Sequence, residues 1–410
     1  MTALSRGWPV PADFAAPPTA AQLIEWESLD RMARPARLAR LRARFAEAGI
    51  DAYFGVRSEH MRYLTGFRLG PGEDKVAGPS GQFLVGGEEV VVLADSRYTI
   101  QVRQEATESR LFEVYHDLPA RWAELVGSVG ARRVAAEAGF VPHAVWTRLA
   151  KAAPDVELVP VEGWVEADRA TKEPSELERV AAACAVADRA LAALLPRIRA
   201  GATEVELALA LEWEMRMNGA EALAFDVACL SGAQAALPHG GPRDEPVEDG
   251  AVLLFDFGAQ VAGYRSDMTR TLFVGEPRER DLAVYELVAR SQRAAIHLLE
   301  ARLAEGAALP TGREADAAAR AVIDEDGRWP AYGHGLGHGI GLATHEGPTL
   351  GRSPSSDATL PPRTVFSVEP GIYLDGETGV RIEDLVSVDT GAGRLERLTR
   401  FPSSVIVVGG

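Results

Sequence analysis

The segment GHGLGHGIG, residues 333–341, has glycine at every second position and is the strongest single constraint on how this chain folds. Alternate residues of an extended segment lie on opposite faces. We therefore predict an extended segment with one bare glycine face, which another backbone or a substrate can approach closely. The other face would carry His334, Leu336, His338 and Ile340. A flexible glycine loop with incidental histidines is the alternative interpretation of this segment on its own.

Two familiar motifs that contain glycine or histidine do not match this segment. Ile340 stands where a GxGxxG dinucleotide loop needs a glycine. A His-Glu-x-x-His zinc helix is disfavoured because glycines at this density would weaken any helix. The function of the histidines has to be inferred from other residues.

Two aspartates lie in a predicted hairpin, AVLLFDFGAQVAGYRSDMTRTL, residues 251–272. A symmetric hairpin centred between Val261 and Ala262 would place Asp256 and Asp267 opposite each other on one face. Like charges that are adjacent and mostly desolvated are unfavourable unless a proton or a cation intervenes. The pair therefore indicates a metal ion.

The segment TVFSVEPGIYLDGETGVRIEDLVSV, residues 364–388, repeats this arrangement with two glutamates. Glu369 and Glu383 are equidistant from Gly376, which lies in a loop rich in Asp and Gly. Each acid on its own is more simply interpreted as a solvated carboxylate near a turn. Two cross-strand pairs at the ends of apolar strands favour one shared site instead.

Four carboxylates with one or two imidazoles form a hard, oxygen-rich ligand set. Such a set suits Mn²⁺, or Co²⁺ and Zn²⁺ by substitution, better than a thiolate zinc site would. Four carboxylates also exceed what one divalent ion normally requires. We therefore predict two metal ions with bridging carboxylates and a bridging hydroxide.

The bulk properties of the chain exclude several classes of protein. A length of 410 residues fits two domains or three, at roughly 150 residues each. The formal charge of −16 argues against a nucleic-acid partner. We find neither a signal-peptide core nor a run of about 18 apolar residues, so no membrane association is predicted. Cys184 and Cys229 lie in apolar surroundings, which indicates two buried thiols and a reducing, cytoplasmic setting.

The pattern along the chain predicts an N-terminal arm of about 30 residues and then an α/β domain. Residues 31–49 carry six arginines and are predicted to form an amphipathic helix with solvated charges. The runs DAYFGV and EEVVVLADSRY are predicted strands, and helical stretches alternate with such runs as far as about Val161. The composition changes at DRATKEPSELERV, so we predict domains at 1–168 and 169–410.

Two capping boxes are predicted at the start of the second domain. In the first, Ser175 would cap a helix and Glu178 would complete the box. In the second, Thr203 and Glu206 would begin another helix that ends near Asn218.

Five candidate ligands stand in short motifs whose order along the chain is specific. They are Asp256 in LLFDFGA, Asp267 in GYRSDMTRT, His338 in GHGLGHGIGLATHE, Glu369 in FSVEPGIY and Glu383 in GVRIEDLV. The set resembles the five-ligand signature of the pita-bread metallopeptidases, and within them the proline-specific branch of Xaa-Pro dipeptidase (prolidase) and aminopeptidase P. This resemblance implies an α+β pita-bread catalytic domain preceded by a smaller α/β creatinase-type N-terminal domain.

The resemblance also implies roles for the five ligands. Asp256 and Asp267 would bind one metal ion. Asp267, His338 and Glu369 would bind the other, and Glu383 would bridge the two. Glu369 would in addition carry the proton between the attacking water and the departing amine.

Four further residues match positions that surround the metals in the family. His239 in LPHGG, His334 and His345 match histidines that contact substrate and stabilise the tetrahedral intermediate. Arg381 matches an arginine near the metals. The chain departs from the family pattern at LPPRTVFSVEP, where a Gly-Met pair is usual, and in its first 30 or so residues.

The predicted activity is hydrolysis of peptide bonds to proline, as an Xaa-Pro dipeptidase that acts on small peptides. The alternatives are an aminopeptidase P that acts on longer peptides and a non-catalytic pita-bread binding protein. Creatinase lacks this ligand set, and methionine aminopeptidases generally lack the N-terminal domain. Creatinase-type N-terminal domains commonly pair subunits, so a homodimer or a higher homo-oligomer is expected.

Overall fold

The structure of the protein, a computed structural model, describes residues 14–70, 80–114 and 117–409. The described chain forms two compact units. The first unit contains residues 21–168, and the second contains residues 169–410 together with the described residues before Ala21. Most of the predicted N-terminal arm before Ala20 lies outside the described residues.

The first unit is built on one mixed sheet of six strands. The strands are β1 (Ala52–Gly55), β2 (Gln82–Gly86), β3 (Val90–Ala94), β4 (Arg110–Glu113), β5 (Arg133–Glu137) and β6 (Glu157–Val161). The helices are α1 (Ala20–Ala48), α2 (Ser58–Thr65), α3 (Thr99–Glu105), α4 (Leu118–Ser128), α5 (His143–Ala152) and α6 (Glu166–Ala170). The sheet order is β4-β3-β2-β1-β5-β6, with β1, β5 and β6 parallel to one another. The α/β class and the strands predicted at DAYFGV and EEVVVLADSRY are confirmed.

Alternate residues of β1 face opposite sides of this sheet, as the period of a strand requires. Phe54 lies in the hydrophobic core with Trp122 of α4 and Leu149 of α5. Tyr53 faces the other side, where its ring stacks on that of Trp164 at 6.2 Å between centroids. The strand is therefore buried on both faces, which explains its continuous apolar run.

Helix α1 begins at Ala20, well before the predicted start at Arg31. Trp26 is buried in this added part of the helix. The prediction that all the arginine charges are solvated is also wrong. The side chain of Arg37 is 1% exposed and donates to Asp30 at 3.0 Å, which lies seven residues earlier, about two turns along the same helical face. This ion pair joins Asp30 of the added turns to Arg37 of the predicted part of the helix.

The second unit contains the remaining helices and strands. The helices are α7 (Pro174–Leu194), α8 (Glu204–Met217), α9 (Glu279–Ala304) and α10 (Gly312–Asp326). The strands of its first half are β7 (Ala222–Leu223), β8 (Ala228–Ser231), β9 (Val252–Phe257), β10 (Ala259–Val261), β11 (Tyr264–Arg265) and β12 (Met268–Val274). The strands of its second half are β13 (Gly337–Gly339), β14 (Glu346–Leu350), β15 (Arg363–Val368), β16 (Gly371–Leu374), β17 (Thr378–Arg381), β18 (Asp384–Asp389), β19 (Arg394–Arg397) and β20 (Val407–Val408).

Two largely antiparallel sheets position the functional residues of the second unit. One has the order β20-β12-β9-β8 and the other the order β14-β13-β15-β18-β19. Helices α9 and α10 pack on each other, and their apolar residues join those of the second sheet in one hydrophobic core. Antiparallel sheets with helices packed against them confirm the predicted α+β class of this region.

The two capping boxes have different outcomes. Thr203 and Glu206 form the predicted box at the start of α8. The first box is formed by Glu173 and Glu176, so the prediction of Ser175 with Glu178 is wrong by two positions. Pro174 occupies the first position of α7, where its missing N–H costs nothing, and the residue before it therefore becomes the cap.

Two predictions from the bulk properties can be compared with the structure. Both cysteines, Cys184 and Cys229, are free and buried, as predicted. Within the described parts of the chain, no helix combines the length and the apolar character that crossing a membrane would demand.

Candidate metal centre and active-site cavity

A cavity of about 390 Å³ in the second unit brings together all the site residues predicted from the sequence. The five predicted metal ligands in its wall are Asp256, Asp267, His338, Glu369 and Glu383. The other four predicted residues in its wall are His239, His334, His345 and Arg381. A volume of this size lies within the range of small-molecule sites.

The first pair of aspartates lies on the hairpin that β9 and β12 form. Asp256 pairs with Thr269 rather than with Asp267, because the chain turns at Ala262 and Gly263. These two residues have positive φ angles of 47° and 83°, as a two-residue type I′ turn requires. The prediction of direct opposition is therefore wrong in register. Asp267 stands two residues before the partner of Asp256, which is a diagonal position on the same face.

The second pair occupies the positions predicted for it. β16 pairs with β17 around Gly376, and β15 pairs with β18 in the same register, so Glu369 and Glu383 lie at matching positions between the two ladders. The Glu383 N–H donates to the Thr269 carbonyl at 3.2 Å, and the Glu369 N–H donates to the Leu336 carbonyl at 2.9 Å. These bonds hold the second hairpin to both the first hairpin and the glycine segment.

The glycines of the GHGLGHGIG segment allow close backbone contacts, as predicted. A Cβ at Gly337 would overlap the Ser367 carbonyl, and a Cβ at Gly339 would overlap the Gly347 carbonyl. The strand itself is limited to Gly337–Gly339, with an irregularity after His338, so the extended conformation predicted for the whole segment is wrong. The glycines thus let β13 lie tightly between its neighbours and carry His338 into the cavity.

Several ligand atoms in the cavity are close together. One ligand atom from each of Asp267, His338 and Glu383 lies within 4.8 Å of the others. His338 Nε2 is 3.4 Å from Glu369 Oε1 and 3.7 Å from Asp267 Oδ2. Asp256 Oδ1 and Glu383 Oε1 are buried and have no hydrogen-bond partner among the described residues. Buried carboxylate oxygens without donors are unfavourable unless a positive charge coordinates them, so the set fits divalent cations.

The carboxyl groups of this cluster resist ionisation when no cation is present. Burial, and then the charges of Glu383 and Asp256, raises the pKa of Asp267 well above its usual value. Burial, and then the charges of Glu369 and Asp256, does the same for Glu383. Burial also raises the pKa of Glu369, against the opposing charge of Arg381. Divalent cations would relieve this mutual repulsion.

Comparison with known proteins gives the same assignment to both units. Residues 178–390 match metallopeptidase family M24, and residues 37–171 match the Creatinase/Prolidase N-terminal domain. The chain belongs to metallopeptidase family M24. The predicted pita-bread catalytic domain after a creatinase-type N-terminal domain is thereby confirmed, and so is the prediction of a metallopeptidase with divalent metal ions.

Similar proteins in this family include Xaa-Pro dipeptidases. The chain is 39% identical over 233 residues to the Xaa-Pro dipeptidase of Pyrococcus furiosus, which is 57% of this chain and 64% of that protein. The structure of the Xaa-Pro dipeptidase from Bacillus anthracis has a TM-score of 0.82 at 34% identity, over 92% of this chain and all of that one. The X-Pro aminopeptidase from Thermotoga maritima has a TM-score of 0.80 at 35% identity, over 90% of this chain and 99% of that one.

Arg381 is the cation that organises this M24 cavity. Its Nη2 donates to Asp256 Oδ2 at 2.6 Å, its Nε donates to Thr269 Oγ1 at 2.8 Å, and its Nη1 donates to the Tyr373 hydroxyl at 3.1 Å. Thr269 in turn donates to Glu383 Oε2 at 2.7 Å. Asp256 and Glu383 are thereby each held by one carboxylate oxygen, which leaves the other oxygen of each for a metal ion.

The histidines of the cavity have distinct surroundings. His334 donates from Nδ1 to the next carbonyl at 2.7 Å, and its Nε2 accepts from the Tyr373 hydroxyl at 2.9 Å. The rings of His338 and His345 lie 4.3 Å apart between centroids. Burial lowers the pKa of all three histidines, so their neutral forms are favoured. His239 is exposed at the edge of the cavity.

The sequence analysis left out three residues that support the predicted ligands. Ser367 donates to Glu369 Oε1 at 2.9 Å, and Thr269 and Tyr373 make the bonds described above. The alternation of side chains along a strand predicts that Ser367 and Thr269 lie on the same face as a ligand. Ser367 precedes Glu369 by two residues, and Thr269 follows Asp267 by two. Tyr373 joins His334 to Arg381 across the fold, and no local pattern indicates that contact.

Proposed function

We propose that this chain is a binuclear metal-dependent Xaa-Pro dipeptidase, a prolidase, which hydrolyses the bond between an amino acid and a following proline. The observation that carries this proposal is the convergence of four carboxylates and His338 in one buried cavity of an M24 metallopeptidase. The similarity to Xaa-Pro dipeptidases from Pyrococcus furiosus and Bacillus anthracis supports the choice of substrate.

The five ligands divide between two metal positions in this proposal. Asp256 and Asp267 would hold one ion. Asp267, His338 and Glu369 would hold the other, and Glu383 would be shared between the two. The unpartnered oxygens of Asp256 and Glu383 support their roles as ligands, because a buried carboxylate oxygen without a donor is unfavourable unless a cation coordinates it.

The bound ions supply a water molecule of lowered pKa and polarise the carbonyl that is attacked. Glu369 would accept the proton of the attacking water and pass it to the departing proline nitrogen. Burial raises the pKa of this carboxyl group, which favours its taking up a proton. Ser367 donates to one oxygen of Glu369 at 2.9 Å and fixes the orientation of the carboxylate.

The remaining cavity residues bind and orient the substrate. His345 and His239 would donate hydrogen bonds to the developing oxyanion or to the leaving group, and their position in the cavity wall supports this role. His334 has both ring nitrogens bonded within the protein, so it acts by holding the Tyr373 hydroxyl. An Xaa-Pro bond has no amide N–H, and the site must therefore recognise the shape of the ring rather than a donor.

Two alternatives are less well supported. A non-catalytic binding protein is disfavoured because all five ligand types are present in one cavity. An aminopeptidase P that acts on longer peptides is disfavoured by the similarity to several Xaa-Pro dipeptidases. The similarity to an X-Pro aminopeptidase makes a tripeptide substrate the necessary comparison.

The proposal also covers the identity of the metal, the compartment, the oligomeric state and the domain boundary. The ions are Mn²⁺, which oxygen-rich sites suit, with Co²⁺ or Zn²⁺ as substitutes. The protein acts in the cytoplasm, which two free and buried thiols support. It forms a homodimer or a higher homo-oligomer. The proposed domain boundary is between residues 168 and 169, and the division of the two compact units at that point supports it.

The test compares Ala-Pro, Ala-Pro-Ala and Ala-Ala as substrates of the Mn²⁺-loaded protein. We expect hydrolysis of Ala-Pro alone, and loss of at least about 100-fold in kcat/KM in Glu383→Gln. Glu377→Gln is the matched control, because Glu377 is on the same hairpin with a side chain that is 55% exposed. Cleavage of the tripeptide before its proline would change the assignment to aminopeptidase P. Equal cleavage of Ala-Ala would contradict proline specificity.

A further inference from the structure

A buried cluster of three charged side chains adjoins the loop that carries His345. The three residues are Arg169, Lys172 and Glu346, and their side chains are 2%, 1% and 4% exposed. Lys172 Nζ donates to Glu346 Oε1 at 2.7 Å, and Arg169 Nη2 donates to Glu346 Oε2. None of these three described residues lines the catalytic cavity, so an effect of the cluster on catalysis has to act through another residue.

The two cations of the cluster are fixed to the catalytic sheet. Lys172 Nζ also donates to the Arg169 carbonyl at 2.5 Å, which joins these two residues to each other. The Lys172 N–H donates to the Arg363 carbonyl at 2.8 Å, and Arg363 Nε donates to the Lys172 carbonyl. Arg363 is the first residue of β15, the strand that ends just before the ligand Glu369. The positive side of the cluster therefore has a fixed position in the second unit.

The charges of the cluster compensate one another inside the protein. Burial opposes ionisation of Glu346, but the charges of Arg169 and Lys172 outweigh burial and lower the pKa of this carboxyl group. Desolvation offsets most of the attraction in a buried ion pair, so such a cluster adds little net stability compared with apolar packing. Removal of one partner is nevertheless costly, because it leaves a buried charge uncompensated. The cluster is therefore better explained by the geometry it fixes than by its contribution to stability.

The Glu346 carboxylate holds one side of the loop at residues 341–345. Its Oε2 accepts from the Ala343 N–H at 3.3 Å. A Cβ at Gly341 would lie 2.5 Å from Glu346 Oε1, so the carboxylate lies directly against the Gly341 backbone. The Gly341 N–H in turn donates to the Ala343 carbonyl at 3.1 Å. The carboxylate therefore contacts both ends of the turn from Gly341 to Ala343.

Arg265 holds the other side of the same loop. Its backbone N–H donates to the Gly341 carbonyl at 2.9 Å, and its Nη1 donates to the Thr344 hydroxyl at 2.7 Å. His345 thus stands between two anchored residues, Thr344 before it and Glu346 after it.

The His345 ring depends on this anchoring for its position. It lines the catalytic cavity, and its centroid is 4.3 Å from that of His338. Among the described residues, none forms a hydrogen bond with the His345 ring, whereas both ring nitrogens of His334 are bonded. The ring is therefore oriented by the backbone of its loop and by its contact with His338.

We propose that Glu346, held by Arg169 and Lys172, is a positioning residue that keeps the His345 ring beside His338. This inference rests on the proposed function, in which His345 donates a hydrogen bond to the oxyanion or to the leaving group. The cluster acts only through the position of His345.

Lys172→Met tests the inference on the full-length, Mn²⁺-loaded protein, because it removes one cation and keeps an apolar side chain of similar length. We expect kcat for Ala-Pro to fall by about 10- to 100-fold, since misplacing a group by about 1 Å costs on the order of 100-fold. The amount of Mn²⁺ bound per chain should stay unchanged. Lys151→Met is the matched control, because Lys151 is exposed on α5 of the first unit.

A double-mutant cycle with His345→Ala separates positioning from a general loss of structure. In the His345→Ala background, Lys172→Met should lower kcat by no more than about twofold, because the residue through which it acts is gone. Glu346→Gln keeps the shape of its side chain and serves in the same cycle if circular dichroism shows that Lys172→Met does not fold. Equal losses in both backgrounds, or no loss in either, would overturn the inference.

Hydrogen exchange followed by mass spectrometry tests the loop without any reaction. In Mn²⁺-loaded Glu346→Gln, we expect residues 341–346 to exchange roughly tenfold faster than in the wild type, and residues 252–257 of β9 to be unchanged. Unchanged exchange at residues 341–346 would overturn the inference whether or not the protein hydrolyses Ala-Pro. A wild type that cleaves none of the peptides would contradict the proposed function, and the exchange result would still decide whether the cluster holds the loop.

Discussion

Arg381 shows how one residue sets the geometry of the catalytic cavity. Its guanidinium contacts Asp256, Thr269 and Tyr373 through three different nitrogens, and it is almost fully buried. A lysine has a single nitrogen at the end of its side chain and cannot make this fork of bonds. The arginine therefore positions one metal ligand directly and a second, Glu383, through the hydroxyl of Thr269.

We predict that Arg381→Lys lowers kcat/KM for Ala-Pro by about 10- to 100-fold, because the ligands lose their orientation while the charge is kept. Affinity for Mn²⁺, measured by calorimetry on the metal-free protein, should fall with it. Arg280→Lys is the control, since Arg280 is 38% exposed and pairs with Glu377 outside the cavity. Wild-type kinetics in Arg381→Lys would show that its charge alone matters.

The metal ligands could be predicted from the sequence, whereas the turn of the first hairpin could not. The acids stand at the ends of apolar strands, and the period of a strand places them on one face. The register of the first hairpin was missed because its turn contains Ala262 at a φ of 47°. Residues other than glycine rarely adopt positive φ, so the sequence gives no signal for a turn at that residue.

At the scale of elements, the glycine segment decides how closely β13 lies against its neighbours. Gly337 and Gly339 each face a carbonyl oxygen that a methyl group would overlap, whereas a Cβ at Gly333 would meet nothing within 4 Å. The alternation of glycine is thus a packing requirement at some positions and not at others.

We expect Gly337→Ala to lower the free energy of unfolding by about 1–3 kcal/mol and to reduce activity, because the backbone must move away from Ser367. Gly333→Ala changes the same kind of residue in open space and should be close to wild type. Urea unfolding and Ala-Pro hydrolysis measure the two effects. If both variants behave alike, the close approach at Gly337 does not matter.

Asp188 makes the attachment of the C-terminal segment to α7 dependent on pH. It accepts the N–H groups of Arg400 and Phe401 at 2.8 and 2.9 Å. Burial raises its pKa from 3.8 to about 6. An acid with a raised folded-state pKa gives stability that is fully present below its unfolded pKa and is lost as the pH rises through the folded value. The loss should therefore occur between pH 3.8 and about pH 6.

Asp188→Asn should remove this dependence, because an amide does not titrate in the window. Between about pH 4 and pH 7, we expect the wild type to lose about 2–3 kcal/mol of unfolding free energy relative to the variant. Urea unfolding at both pH values measures the difference. Asp244→Asn, at an exposed position, controls for general charge effects. If the difference in unfolding free energy between the wild type and Asp188→Asn is the same at both pH values, the effect is excluded.

Element boundaries followed local signals only where packing did not override them. The box of Thr203 and Glu206 was predictable because both of its partners are local. The start of α1 at Ala20 depends on burial of Trp26 and on the pair of Asp30 and Arg37, which depend on the folded unit. Pro174 at the first position of α7 is a local signal that identifies Glu173 as the cap.

At the scale of the whole molecule, motifs far apart in sequence could be assigned to one site before the fold was known. The catalytic cavity was predictable because its residues carry their own chemistry in short motifs. A cavity of about 320 Å³ in the first unit was not predictable, because it arises from the order of β1, β5 and β6 in the sheet. Its lining residues, such as Arg57 and Glu137, stand in ordinary surroundings in the sequence.

The most direct test combines metal content and activity in one titration. The protein is stripped with chelator and titrated with Mn²⁺, while bound metal and Ala-Pro hydrolysis are followed on the same sample. We predict no hydrolysis without metal, and full activity once two ions are bound per chain. Hydrolysis that survives complete removal of metal, or none when both positions are filled, would contradict a binuclear Xaa-Pro dipeptidase.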